Sequence, residues 1–149
     1  MNTDTNDVIR LMEKWKVILR LQNWDIKYIP ITKEWHKTGD IKIDVDDRTA
    51  ALLLNTYNPK QTNLEQVIIH ELLHLKLWEM DQMTENLIET VLGETKVSCK
   101  KIVLDQYMGI LEYTVNDLSK AFLELGGDDK KISFGRLDHA LNEELGFLF

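Results

Sequence analysis

A single cysteine, Cys99, stands in a chain of 149 residues. It excludes an internal disulfide and a cysteine-rich zinc ligand set, and a small buried hydrophobe is its simplest role. Proline and glycine are scarce, at two and seven residues, in a chain that is 44% apolar and 29% charged. That is the composition of an ordinary globular protein, and one domain is expected at this length. No stretch reaches the roughly 18–20 apolar residues that span a bilayer. Positive charge is short as well. The 18 Lys and Arg face 25 Asp and Glu, the net charge is −7, and no basic cluster offsets it, so a nucleic-acid partner is not expected. Met1 to Asp7 is polar and acidic, without the basic and apolar regions of a secretory signal, and a cytoplasmic location follows as the expectation.

Against these absences one segment stands out. His70-Glu71-Leu72-Leu73-His74 has the HExxH pattern. On an α-helix, residues four apart lie about 40° apart around the axis and about 6 Å apart along it, so both imidazoles can meet one ion. Neutral imidazole suits zinc, and a catalytic zinc site takes three protein ligands and keeps one position open. Glu71, one residue round from His70, is placed to take a proton from an activated water rather than to ligate. The surroundings, from Val67, Ile68 and Ile69 to Leu75, are apolar nearly all round, so this helix should be buried. Buried ionisable groups are costly unless paired, hydrogen-bonded or on a metal. A metal site is therefore preferred over two satisfied core histidines.

Periodicity supplies the frame. Val8, Leu11, Met12, Trp15, Ile18 and Leu19 recur at helical spacing, which predicts a helix to about Leu21 capped by Thr5 or Asn6. Trp24 to Ile29 alternates and ends at Pro30. Ile41, Ile43 and Val45 alternate with charged residues, and Ala50 to Leu54 is a continuous apolar run. Three short strands with tight turns predict an antiparallel meander, with a mixed sheet as the alternative. Thr62 and Glu65 match a capping box that opens the HExxH helix near Asn63. That helix is expected to end near Glu79 or Met80, with a connection at Asp81 to Met83 and a second helix after it. Gly126-Gly127 is a break, and a last short helix carries Leu137, Leu141 and Leu145. Asp44, Asp46 and Asp47 lack the EF-hand pattern and are expected to be a solvated strand end.

A third ligand has to come from elsewhere. The candidates are Glu79, Asp81, Glu85, Glu89, Glu94 and, more remotely, His139. On the expected second helix Glu85 edges the stripe of Leu87, Ile88, Val91 and Leu92, so it ranks first, with Glu89 as the alternative.

The order of elements, with Leu21-Gln22-Asn23-Trp24-Asp25-Ile26 ahead of the capped helix carrying His70-Glu71-Leu72-Leu73-His74-Leu75, resembles the zincin-like metallopeptidases. The likeness is to small phage and prophage proteins near the minigluzincins and the ImmA/IrrE-type peptidases, and covers residues 6 to 95. It implies an α+β fold, with His70 and His74 as ligands of one Zn2+ per chain and Glu71 as general base. It also implies a glutamate on the next helix as third ligand, in the place of Glu85, and a peptide bound along a sheet edge at Ala50 to Leu54. Residues 1–95 would form the metallopeptidase core and 96–149 a helical extension packed on the same domain. The function expected is a zinc-dependent peptidase acting on a peptide or protein, without a membrane partner, and with a homodimer through the C-terminal helices as one assembly to consider. The alternative is a zincin-fold regulatory or binding protein of phage or prophage type with a structural or vestigial zinc site.

Overall fold

The computed structural model describes residues 4–94 and 97–146, an α+β arrangement of four helices and a three-stranded mixed sheet. The first helix, α1 (Thr5–Ile18), is capped by Asp4, whose carboxylate accepts from the Asn6 N–H, just ahead of the expected cap. It buries the stripe of Val8, Leu11, Met12 and Trp15. Arg20 in the left-handed region then turns the chain towards the sheet, earlier than the expected Leu21.

The strands are β1 (Asp25–Ile31), β2 (Gly39–Asp44) and β3 (Thr49–Asn55). Their order is β1-β3-β2, with β1 parallel and β2 antiparallel to β3. The sheet is thus mixed, and the meander is not formed. The reason lies in β3, the most apolar strand. Leu52 and Leu54 are fully enclosed, and such a run belongs at the centre of a sheet rather than at its edge. Ala50 to Leu54 therefore cannot be a peptide-binding edge; β1 and β2 are the edges. Pro30 sits within β1, where an edge strand tolerates the missing N–H. The Asp44 carboxylate accepts from the N–H groups of Asp46 and Asp47 and shapes the turn before β3.

The HExxH helix, α2 (Leu64–Leu92), begins at an Asn63 cap whose side-chain oxygen accepts from the Gln66 N–H. The expected capping box does not form. Thr62 pairs with Ser133, and Glu65 is buried and turned inward. Its Oε1 accepts from Trp15 Nε1 at 2.7 Å and Lys14 Nζ at 2.8 Å, and its Oε2 from the Asp128 N–H at 2.7 Å. One carboxylate thus ties α1, α2 and the 127–134 segment together. Nor does α2 stop at Met80. Residues 81 to 83 contain no glycine or proline, Asp81 is buried against the Tyr107 hydroxyl, and the helix continues to a Gly93 cap at φ +47.

The chain returns as α3 (Val97–Gly126), which passes through Gly109 without a break, and ends in α4 (Gly135–Leu145), stopped by left-handed Gly146. Val115 and Leu123 of α3 are fully buried in one core with Trp15, Leu52, Ile68 and Leu72. Residues from both sides of position 95 thus share this core. The apolar tail after Gly146 lies outside the described residues. No helix among those described is long and apolar enough to cross a membrane.

Candidate metal centre

His70 and His74 share one face of α2, as their spacing dictates, and both are mostly shielded from solvent. Their Nε2 atoms stand 3.2 Å apart. The third member is Glu112, from the middle of α3. Its Oε1 lies 3.1 Å from His70 Nε2, and its Oε2 lies 3.1 Å from His74 Nε2. Two ligands on a tetrahedral zinc at 2.0–2.1 Å are about 3.3 Å apart, and one ligand atom from each of the three residues lies within 4.8 Å of the others, close enough to share one ion. The donor set, two imidazoles and one carboxylate, is also one that zinc accepts in catalytic sites.

Glu85 and Glu89 are not part of this group. Because α2 is continuous, Glu85 lies eleven residues beyond His74 on the same helix, about 16 Å along the axis. It accepts a hydrogen bond from Gln82, while Glu89 pairs with Lys100. Glu79 pairs with Arg48, Asp81 accepts from Tyr107, Glu94 lies exposed beyond the end of α2, and His139 pairs with Glu143 on α4. The sequence does hold a signal for Glu112. His74 lies nineteen residues before Gly93 and Glu112 nineteen after it, so two antiparallel helices joined there bring them level. That count needs the helix end at Gly93, which the connection expected at Asp81 to Met83 obscures.

Glu71 is buried beneath the pair, against the start of β2. A Cβ added to Gly39 would come within 2.8 Å of Val67 Cγ1 and 3.1 Å of Glu71 Oε1, so only glycine lets the strand approach this closely. Burial pushes the Glu71 carboxyl above its usual range, although the neighbouring histidines pull the other way. Hydrogen bonds from His70 and His74 hold the Glu112 carboxyl far below its usual range. For His74, burial disfavours the charged form, but the bond to Glu112 and the charge of Glu71 outweigh it and raise the imidazole.

These groups lie on a cleft of about 700 Å³ between β2, α2 and α3. Trp78 and Asp81 line it as well, and Lys60, Arg136 and His139 line it from the loop before α2 and from α4. The position of α4 depends on Gly135, where a Cβ would fall on the Lys60 carbonyl. The arrangement offers a three-atom ligand set for a divalent ion, a shielded carboxylate next to it, and an open space for a bound molecule. Comparison with protein-family models, with curated proteins and with solved structures finds no match.

Proposed function

We propose that this chain is a zinc-dependent peptidase of the zincin kind, with His70, His74 and Glu112 as the ligands and Glu71 as general base. The observation that carries the reading is the convergence of His70 Nε2, His74 Nε2 and the Glu112 carboxylate at 3.1–3.2 Å, beside a buried glutamate and an open cleft. Zinc bound there would polarise the scissile carbonyl and lower the pKa of a water molecule.

The chain's own groups then divide the work. Glu71, raised by burial, is a stronger base than an exposed carboxylate. It takes the proton of the attacking water as the C–O bond forms and delivers it to the amine nitrogen as the C–N bond breaks. Gly39 keeps room for its carboxylate against β2. The outer edge of β2 borders the cleft, through Thr38, Gly39, Asp40 and Ile41, and would pair with an extended substrate backbone. This edge replaces Ala50 to Leu54 in that role.

The reading is tested by metal analysis of the purified chain by native mass spectrometry. About one zinc per chain is expected, lost in His70→Ala and in His74→Ala. Full retention in both variants overturns it.

A further inference from the structure

An exposed apolar surface lies away from the cleft, where α2 and α3 continue past the core as an antiparallel pair. Asp81 with Tyr107 and Glu89 with Lys100 mark the register of that pair. From Asp81 to Leu92, and from Val97 to Tyr107, Asp81 is the only buried residue among those described. Two helices alone cannot enclose a core, and an arm of this kind needs a further layer. Its outer surface matches that need. Met80, Met83, Leu87 and Val91 recur at three- and four-residue spacing on one face of α2, each 58–66% exposed. On α3, Val103 and Ile110 are exposed, with Ile102 and Tyr113 beside them. None of these eight residues lines the cleft.

Gly109 lies on the solvent side of α3, on one face with Ile102 and Tyr113. Glycine inside a helix is unfavourable by about 1 kcal/mol against alanine. A Cβ there would meet nothing within 4 Å, so the described residues give no packing reason for it. The close approach of another helix backbone does. Cys99, expected to be buried, is exposed on the same helix.

We infer that the arm is a dimerisation element, in which the α2–α3 arms of two copies pack face to face as a four-helix bundle. Three observations select a second copy. The exposed apolar area of the eight side chains is on the order of 800 Å², which is the area one partner gives to a stable interface. The patch is also self-complementary. A two-fold axis parallel to the arms sets α2 of one copy against α3 of the other, which brings the row from Met80 to Val91 level with Val103 and Ile110 of the second copy. Finally, Gly109 supplies the close helix approach that such a crossing requires.

The test is sedimentation velocity on the full chain over a range of concentrations, with the double variant Leu87→Glu/Ile110→Glu alongside. The wild type is expected to sediment as a dimer and the variant as a monomer, with unchanged helicity by circular dichroism. A wild-type monomer at every concentration, or a variant that still dimerises, overturns the inference. A spin label on the lone Cys99 gives a second readout that needs no core change. A dipolar coupling between two labelled arms is expected, and its absence at concentrations where a dimer sediments places the interface elsewhere and overturns the arm as its site.

Discussion

Glu112 sits 3.1 Å from His74 Nε2 across 38 positions of sequence, and that single approach adds a carboxylate to the pair of histidines and completes a candidate ligand set. The proximity depends on an uninterrupted α2, a tight reversal after Gly93 and an α3 long enough to return to the level of the site.

Ligand substitutions follow from that geometry. Glu112→Ala should lower zinc affinity sharply, because the third protein ligand is removed. Glu85→Ala, on a residue about 16 Å along the helix, should leave it unchanged. Competition with a chromogenic chelator measures both. The reverse order of effects would return the third ligand to Glu85.

Proton competition sets the acid side of metal binding. Protonated imidazole cannot ligate, and the His74 pKa in the metal-free protein is raised by its bond to Glu112 despite its burial. The apparent zinc affinity should therefore begin to fall as pH drops below that raised pKa, at a higher pH than for an unpaired histidine site. In metal-free Glu112→Gln, which removes the carboxylate charge, the His74 pKa should move down. An NMR titration of the His74 imidazole in both metal-free proteins checks the sign.

The Glu65 staple should be costly to remove. Glu65→Ala would leave the Trp15 N–H and the Asp128 N–H without their acceptor inside the protein. Lys14 keeps its pair with Asp128, and each buried donor left without an acceptor typically costs about 1–3 kcal/mol. Urea unfolding of the metal-free chain measures it, and a loss under about 1 kcal/mol would show that water replaces the carboxylate.

Much of the scaffold was legible in the sequence because it rests on local periodicity. The α1 stripe, the three strands and the start of α2 lie within a few residues of their predicted places. Strand order was not legible, because alternation along a strand says which face is buried but not which neighbour pairs. The continuous run from Ala50 to Leu54 was the available clue that β3 is central. At the site, His70, Glu71 and His74 are brought together by one helix and were found from spacing alone. Glu112 was missed because it depends on where α2 ends, and the connection expected at Asp81 to Met83 masked the signal of Gly93. Glu65 was taken for a cap because its spacing from Thr62 fits one, but its partners lie 50 and 63 positions away.

Gly39 offers a separate handle on the base. Gly39→Val would press on Val67 and on the Glu71 carboxylate, both already within 3.1 Å of an added Cβ. Zinc content should stay near one per chain while any cleavage rate falls by about tenfold or more, since about 1.4 kcal/mol of misplacement is enough for that. Equal loss of zinc and rate would instead point to collapse of the whole site.

The central claim is that Glu71 moves the proton in a hydrolysis supported by the His70, His74 and Glu112 site. The most direct measurement is cleavage of a proteome-derived peptide library, read by mass spectrometry, by the wild type and by Glu71→Gln at equal zinc content. New peptide termini are expected with the wild type, and a loss of about 10²–10⁴-fold in rate with the variant. Zinc-loaded wild type that cuts nothing would favour the binding-protein alternative, and cleavage undiminished in Glu71→Gln would contradict the mechanism outright.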